Sequence, residues 1–519
     1  MGISVYTLKK RKFIQSVIQT VSLRGVDVVP VSVQVHISNG LPAMAIVGLA
    51  DKSVAESKER VRAALSSLGL ASPAKRVAVN LAPADIIKEG AHFDLPIAMG
   101  ILLAMGVLPA DSLDGFVVLG ELSLSAEINK VSGILPVALH ASSIGAGLVC
   151  PHENGPEAAW AGQIDIAAPS RLSDLISHIK GVTRLPAPEQ FLLTQNEDGP
   201  DMADIVGQET ARQALEIAAA GGHHMLMIGP PGAGKSMLAS RLPALLPPLT
   251  PEEALETTII HSVANQLSAS GLVSRRPYRD PHHSASMASL VGGGNKALPG
   301  EASLAHHGIL FLDELAEFNR AALDGLRQPL ETGEIIVARA NHHIRYPARF
   351  QLVAAMNPCR CGYLCDAERA CSKAPVCAQN YMARISGPML DRFDITLEVE
   401  EVLPEQLLSS SASEPTAAIK SRIDAARQFA SQRLNIKDAP LNVTMTAAEI
   451  KAEIGSNPEI TDLLNNEMKS QKLSARGLHK AVRVTRTIAD LNASPIISRL
   501  HMLEALSYRR FLTGRLHSG

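Results

Sequence analysis

The sequence is poor in aromatic residues, has no long apolar run and carries almost no net charge. Aromatic side chains make up 3% of the 519 residues, so base stacking is not expected to be a major means of binding. The formal net charge of −2 shows no overall bias toward nucleic acid or membranes. The most apolar stretch, 95–109, is too short to span a bilayer. The basic start lacks a cleavage-site pattern, so we expect a cytoplasmic protein with no membrane partner.

The length of 519 residues predicts several domains. Strand-like and helical patterns alternate over 21–180, which indicates a mixed α/β domain. Residues 181–204 lose this periodicity and are typical of a linker. A second α/β block follows at 205–400, and 401–519 is mainly helical in pattern. We assign residues 1–20 to an N-terminal extension.

The segment HMLMIGPPGAGKSMLASRL predicts a buried strand, a glycine-rich turn and a helix. In such a turn the backbone N–H groups approach phosphates, Lys235 supplies positive charge and the Ser236 hydroxyl can ligate Mg²⁺. Farther on, GILFLDEL ends in Asp313, placed to hold the metal, and Glu314, placed to polarise the attacking water. The motifs predict an enzyme that hydrolyses ATP with Mg²⁺. The predicted nucleotide-binding residues are Gly229, Pro230, Pro231, Gly232, Ala233, Gly234, Lys235, Ser236 and Asp313.

With these two motifs, the segments DIVGQETARQALEIAAAGG, RPYRDPHHSASMASLVGGG, YPARFQLVAAMNPC, RISGPMLDRFD and LSARGLHKAVRVTRTIADL resemble the AAA+ ATPases, and specifically the magnesium-chelatase-like YifB/ComM family. The resemblance covers nearly the whole chain after about the first twenty residues. It implies a P-loop AAA+ α/β core and a C-terminal helical lid.

The resemblance also implies roles for four polar residues. Asn357 resembles the sensor-1 residue that helps to orient water, and Arg476 resembles the sensor-2 arginine of the lid. Arg392 resembles the arginine finger that reaches a neighbouring subunit's ATP, and Arg384 resembles a second interface arginine. A ring-shaped homo-oligomer, a hexamer, is then expected. The alternatives are a strand-end turn residue for Asn357 and surface salt bridges for the arginines.

The N-terminal domain resembles the Lon protease domain, a ribosomal S5 domain 2-like α+β fold, in LAPADIIKEGAHFDLPIAMG and in LGELSLSAEINKVSGILPVALH. Lon-type proteolysis needs a serine activated by a lysine. The aligned serine position falls near His92 and the lysine position near Leu135, so we expect the dyad to be missing. Lys88 and Ser132 leave a displaced dyad as an alternative. We interpret this domain as a structural, oligomerisation or substrate-guiding module.

Two insertions carry basic and histidine residues. The first, SRRPYRDPHHSASMASLVGGGNKALPGEAS, contains a triple glycine, and the second, EIIVARANHHIRYPARF, alternates like two strands around a turn near ANHH. Insertions at these places line the pore of related ring ATPases, so the resemblance implies contacts with a nucleic-acid backbone. The alternative is that they are solvated loop charges or structurally partnered histidines. The candidate DNA-binding residues are Arg279, His282, His283, Lys296, Arg339, His342, His343 and Arg345.

Five of the six cysteines lie within the loop 359–377, directly after Asn357. Their spacing offers more than four soft ligands, which suits a structural Zn²⁺ in a reducing compartment. The intervals are not those of a standard zinc finger, so packed or oxidisable thiols stay open as the alternative. Cys150 is expected to be a buried small hydrophobe. The candidate zinc ligands are Cys359, Cys361, Cys365, Cys371 and Cys377.

These features predict an ATP-dependent ring motor that translocates on single-stranded or branched DNA. Resemblance to ComM-like members implies a branch-migration helicase in recombination and natural transformation. An AAA+ protein remodeller without proteolytic activity is the alternative. No aromatic-hydrophobic pore loop is evident in the motor block, and this favours DNA.

Overall fold

The structure, a computed structural model, describes residues 14–70, 73–190, 199–267, 271–294, 297–339, 342–364, 372, 376–402, 413–436, 441–455, 457–469 and 474–509. The chain forms two compact units. The first comprises Met1–Thr194 with Thr258–Leu272, and the second comprises Gln195–Thr257 with Val273–Gly519. The sequence patterns do not predict that residues 258–272 belong to the first unit. Among the described helices none is long and apolar enough to cross a membrane.

The first unit contains nine strands and five α-helices among its described residues before 258. The strands are β1 (Ile14–Arg24), β2 (Asp27–Ser38), β3 (Ala43–Val47), β4 (Arg76–Ala82), β5 (Phe116–Val118), β6 (Glu121–Leu122), β7 (Ile128–Asn129), β8 (Gly147–Val149) and β9 (Ile166–Ala167). The helices are α1 (Lys52–Ser67), α2 (Asp94–Ala104), α3 (Ile134–Ser143), α4 (Gly155–Ala158) and α5 (Leu172–Ile179).

A seven-stranded mixed sheet with the order β3-β4-β2-β1-β5-β8-β9 organises this unit. Strands β1, β2 and β4 pair antiparallel, whereas the other neighbours are parallel. Alternating residues of β2 are buried, and Gly100 of the fully buried α2 packs closely on Val35. The sheet begins earlier than the predicted domain start at residue 21, because β1 starts at Ile14 and Ile18 is part of the core.

The second unit contains the remaining elements. Its strands are β10 (Met225–Ile228), β11 (Tyr278–Arg279), β12 (Gly292–Gly293), β13 (Leu298–Pro299), β14 (Ile309–Leu312), β15 (Glu334–Arg339), β16 (His342–Pro347), β17 (Gln351–Met356) and β18 (Ile395–Glu398). Its helices are α6 (Glu209–Gly221), α7 (Lys235–Leu245), α8 (Pro251–Val263, grouped with the first unit from residue 258), α9 (Met287–Val291), α10 (Glu301–Leu304), α11 (Arg320–Gly325), α12 (Arg327–Thr332), α13 (Val376–Met382), α14 (Gly387–Leu390), α15 (Thr416–Leu434), α16 (Ala447–Gly455), α17 (Pro458–Lys469), α18 (Ala475–Leu491) and α19 (Arg499–Ser507).

A five-stranded, wholly parallel sheet with the order β11-β14-β17-β10-β18 forms the centre of the second unit. Strands β10, β14 and β17 are buried along their whole length. The α/β class with a parallel sheet is thereby confirmed. The predicted pair of strands around ANHH is also confirmed, because β15 and β16 form an antiparallel hairpin from Glu334↔Pro347 to Arg339↔His342.

Candidate nucleotide site

The turn between β10 and α7 can be formed only with glycine at defined positions. A Cβ atom on Gly229 would lie 2.2 Å from the carbonyl oxygen of Val399. Gly232 and Gly234 have φ angles of 81° and 84°, in the left-handed region that side chains disfavour. Gly234 then starts α7 as its N-cap, so the turn presents its backbone toward the start of a helix.

Lys235 is buried at the first position of α7 and has three oxygen acceptors. Its Nζ donates to the carbonyl oxygens of Gly229 and Pro230, each at 2.8 Å, and to Asn357 Oδ1 at 3.2 Å. Burial lowers the pKa of Lys235 from its usual value, and the nearby charge of Asp313 opposes this shift. The structure therefore brings Lys235 and Asn357 together from two neighbouring strands.

Asp313 and Ser236 form a second pair at the same edge of the sheet. Ser236 Oγ donates to Asp313 Oδ2 at 2.6 Å, and the backbone N–H of Glu314 donates to Asp313 Oδ1 at 2.8 Å. Glu314 itself has a φ of 53°. A hydroxyl and a carboxylate oxygen side by side are the ligands that Mg²⁺ prefers, and an ammonium suits phosphate. These residues fit a bound Mg²⁺ and nucleotide.

Two further residues at this edge were not assigned to it by sequence reasoning. His283 Nδ1 lies 3.1 Å from Glu314 Oε2. Burial, followed by the charge of Asp313, raises the pKa of Asp280. Both residues follow β11, which pairs in parallel with the Asp313 strand. In the sequence these residues belong to the polar segment RDPHH. The strand before it, β11, has two residues, which are too few to show the periodicity that predicts a strand.

Arg392 and Arg476 lie elsewhere in the second unit, in a cleft of about 1410 Å³. His224, Gly308 and Asp394 also line this cleft, and they directly precede β10, β14 and β18. The cleft is therefore at the amino ends of the parallel strands, whereas Lys235 and Asp313 follow their carboxyl ends. Arg392 pairs with Glu331, and Arg476 is exposed at the start of α18.

Three family models match the chain in order. Subunit ChlI of Mg-chelatase matches 33–154, the magnesium chelatase subunit ChlI matches 201–407, and its C-terminal model matches 413–509. The uncharacterized protein YifB of Escherichia coli is 41% identical over 496 residues, which cover 95% of this chain and 97% of that protein. The competence protein ComM of Haemophilus influenzae is 42% identical over 493 residues, with coverage of 93% and 95%.

The chain belongs to the YifB/ComM family of magnesium-chelatase-like proteins. A magnesium-chelatase 38 kDa subunit of Rhodobacter capsulatus is more distant, at 33% identity over 171 residues that cover 30% of this chain and 49% of the relative. Membership of this AAA+ family indicates an ATPase that uses ATP and Mg²⁺.

Among the predicted DNA-binding residues whose side chains the structure describes, Arg279, His282 and Arg345 share no common partner. Arg279 makes two bonds to Glu301, at 2.6 and 2.9 Å, and His282 Nδ1 lies 2.8 Å from Ser284 Oγ. Arg345 is exposed on β16. The backbones of Arg339, His342 and His343 flank the tip of the β15–β16 hairpin, and Lys296 lies outside the described residues. Arg384, proposed for an interface, bonds Glu317 at 2.7 Å.

Three of the clustered cysteines converge. The Sγ atoms of Cys359, Cys361 and Cys377 all lie within 4.8 Å of one another. Cys359 is buried, while Cys361 and Cys377 are partly buried. Cys365 and Cys371 lie outside the described residues.

In the first unit, the positions aligned with the protease dyad make ordinary structural contacts. His92 is buried with its Nε2 2.9 Å from the carbonyl oxygen of Val21, and burial lowers its pKa. The backbone N–H of Leu135 donates to Glu157 Oε1 at 3.0 Å. Lys88 is buried and donates to the carbonyl oxygen of Pro83.

Proposed function

We propose that this chain is a cytoplasmic, ring-forming ATPase that translocates on DNA and acts as a branch-migration helicase in recombination, including natural transformation. The observation that carries the proposal is the placement of Arg392 and Arg476 in the cleft at the amino ends of the strands. A four-residue strand is about 13 Å long, so these arginines and the P-loop of the same chain face opposite edges of the sheet. We infer that they serve the nucleotide of a neighbouring copy.

The residues at the P-loop edge can divide the work of hydrolysis among them. Lys235 binds phosphate oxygens with its ammonium, and Asn357, which it already contacts, helps to orient the water. Ser236 and Asp313 would hold Mg²⁺, which neutralises phosphate charge when bound. Glu314 accepts the proton of the attacking water. An arginine from the next copy would stabilise the charge that develops on the transferred phosphoryl group.

Trans action by Arg392 can be tested by mixing two inactive variants. Lys235→Ala keeps Arg392, and Arg392→Ala keeps an intact P-loop. Mixed rings should contain complete sites between one copy of each kind, so ATP hydrolysis should recover to a substantial fraction of the wild-type rate. A Lys235→Ala/Arg392→Ala double variant mixed with Arg392→Ala is the matched control and should recover nothing. Absence of recovery in mixed rings of demonstrated size would overturn the shared site.

The proposed cargo is DNA because basic residue types occur along the β15–β16 hairpin near its tip. Arg345 is exposed on β16, and the backbones of Arg339 and His342 pair at the last register position before the tip. A ring would bring several such weak, sequence-independent phosphate contacts around one channel. The name of the 42% identical competence protein ComM of Haemophilus influenzae supports a role in transformation.

We propose a Lon-like, S5 domain 2-like fold for the N-terminal domain, whose start moves from the predicted residue 21 to Ile14, followed by a linker at 181–204, a core at 205–400 and a helical lid from 401. The structural contacts of His92 and Leu135 support a module that guides substrate or assembly rather than a protease.

The cargo is tested by measuring ATP hydrolysis with and without single-stranded, forked and three-stranded DNA, using Glu314→Gln as the inactive control. We expect stimulation by DNA and ATP-dependent strand displacement on the branched substrates. Arg345→Ala should weaken DNA binding, and Arg320→Ala, whose side chain is 67% exposed on α11, should leave it unchanged. Stimulation by unfolded protein, with none by any DNA, would instead establish the protein remodeller.

A further inference from the structure

Cys359, Cys361 and Cys377 form a thiol cluster whose members come from two separate segments. Cys359 and Cys361 belong to the turn that leaves β17, whereas Cys377 is in α13, sixteen residues later. The Sγ atoms of Cys359 and Cys361 are 3.0 Å apart, and the Sγ of Cys377 completes a triangle whose sides are all within 4.8 Å. Packing of short thiols alone does not require three of them to point at one spot, whereas a shared metal ion does.

The chemistry of the cluster favours zinc over other divalent ions. Thiolates are soft ligands, and a tetrahedral site built from sulfur is typical of Zn²⁺, whereas Mg²⁺ and Ca²⁺ take oxygen ligands. The described residues supply three ligands. The sequence offers Cys365 and Cys371 for the fourth position, and both lie outside the described residues.

The cysteine turn is packed directly against the P-loop. Gly362 donates its backbone N–H to the carbonyl oxygen of Cys359 at 3.0 Å and has a φ of 85°. A Cβ atom on Gly362 would lie 2.5 Å from Cδ of Pro231 in the P-loop. The other end of the turn follows Asn357, which accepts the bond from Lys235. A metal that fixes this turn therefore also fixes one wall of the P-loop and the position of Asn357.

We propose that Cys359, Cys361 and Cys377 bind a Zn²⁺ ion that holds the turn 359–362 against the P-loop and supports nucleotide binding. The zinc site is inferred from the thiol geometry alone, whereas its effect on nucleotide binding also rests on the function proposed above. Each part therefore has its own measurement.

The zinc content of the full-length protein, purified without chelator and under reducing conditions, tests the site itself. We expect about one equivalent per chain, as for a structural zinc site. Cys359→Ser and Cys377→Ser should each lose most of the metal, and Cys150→Ala, a buried cysteine of the first unit, should retain it. Reconstitution of chelated wild-type protein with Co²⁺ should give the visible absorption of a tetrahedral thiolate complex, which keeps the test valid if a variant misfolds.

Binding of a fluorescent ATP analogue tests whether the zinc site supports nucleotide binding. We expect Cys377→Ser and chelated wild-type protein to bind the analogue about tenfold more weakly, and zinc to restore the affinity of the chelated protein. Gly362→Ala should keep its zinc and still lose affinity, because the added Cβ displaces Pro231. Lys235→Ala should lose nucleotide and keep zinc, which separates a failure of the nucleotide site from a failure of the metal site.

Three results would overturn the inference. Less than about half an equivalent of zinc per chain, in protein purified with added zinc, would show that the three cysteines do not form a zinc site. A disulfide between Cys359 and Cys361 in freshly isolated, zinc-free protein would assign the cluster to redox chemistry instead. Unchanged nucleotide affinity on reversible zinc removal would leave a metal site without the proposed coupling.

Discussion

His283 Nδ1 lies 3.1 Å from Oε2 of Glu314, the carboxylate that we propose acts on the attacking water. The two residues come from the ends of adjacent parallel strands, β11 and β14. His283 is also within ring contact of His282, with centroids 4.1 Å apart. The contact therefore links the proposed general base to the first insertion, RPYRDPHH, which was predicted to meet DNA. We infer that His283 restrains Glu314 until DNA or nucleotide changes the position of this segment.

Removal of the histidine should increase hydrolysis in the absence of DNA. In His283→Ala the carboxylate loses the imidazole that lies 3.1 Å away and is free to bind water, so we expect a basal rate higher by about threefold, the effect of one weak polar contact. Stimulation by DNA should fall by a similar factor. His283→Asn, whose amide can donate from near the Nδ1 position, is the control and should stay close to wild type. An unchanged basal rate with intact stimulation would show that the contact has no regulatory role.

Asp280→Asn should weaken activation by Mg²⁺. The pKa of Asp280 is raised by burial and by the charge of Asp313, so a cation near this carboxyl group would favour its charged form. Loss of one charge should raise the Mg²⁺ concentration needed for half-maximal ATP hydrolysis by about tenfold, with little change in the rate at saturating metal. A titration of activity against Mg²⁺ measures both quantities. Equal half-maximal concentrations for variant and wild type would place Asp280 outside the metal's surroundings.

The P-loop edge was predictable because its residue types carry their own geometry. Glycines at the turn, Lys235, and an acidic pair after an apolar run each indicate one position at the end of a buried strand. The pairing of Ser236 with Asp313 and of Lys235 with Asn357 then follows from adjacent parallel strands. Asp280 and His283 were not assigned to the site because β11 has two residues, and no local pattern indicates that it joins the same sheet.

The position of the two arginines could not be deduced from sequence for a related reason. Motif resemblance attaches Arg392 and Arg476 to nucleotide chemistry, but the edge of the sheet that they face depends on the direction of β18 for Arg392 and on how α18 packs on the core for Arg476. Contacts over more than eighty residues of sequence separation, such as Lys480 Nζ with Asp394 Oδ1 at 3.1 Å, decide that packing. In the first unit, the sequence pattern likewise places residues 14–20 in an N-terminal extension, whereas they form the first part of β1, which pairs along its length with β2.

The stability of the second unit should fall in mild acid because the buried His223 and the partly buried His224 must remain neutral. Burial lowers the pKa of His223 and of His224 to about 4, against an ordinary value of about 6.5. Because their pKa values in the folded state are depressed, the two neutral histidines contribute fully to the free energy of unfolding above about pH 6.5. This contribution is lost as the pH falls toward 4. Below that range Asp394 adds a loss, because Lys480 and both histidines outweigh its burial and depress its pKa.

Chemical unfolding between pH 7 and pH 4.5 measures this dependence. The free energy of unfolding should drop by up to about 1.4 kcal/mol per pH unit for each histidine. His224→Asn keeps an acceptor for the N–H of Leu352, which His224 Nδ1 accepts at 3.0 Å, and should have a shallower slope. His152→Asn, at an exposed position of the first unit, should keep the wild-type slope. If the free energy of unfolding falls equally steeply with pH in all three proteins, His224 does not contribute to the loss of stability in acid.

The helical part near the C-terminus should depend on one buried ionic network. Arg486 of α18 is fully buried, and its Nη2 lies 3.0 Å from Asp490 Oδ1 and its Nη1 3.5 Å from Glu453 Oε2. Arg433 of α15 contacts the same two carboxylates at 3.2 and 3.3 Å, so the network joins α15, α16 and α18. Arg486→Met leaves buried carboxylates short of a partner and should reduce the free energy of unfolding by about 3–5 kcal/mol.

Denaturant unfolding and limited proteolysis of the full chain can measure this loss, with Arg499→Met, an exposed arginine of α19, as the matched control. Arg486→Met/Asp490→Asn should recover part of the stability, since the second change removes the uncompensated charge. If the single variant unfolds like wild type, the network is replaceable by apolar packing. The position of α18 then depends on its apolar face instead, and Arg476 at its first turn should stay in place without the ionic contacts.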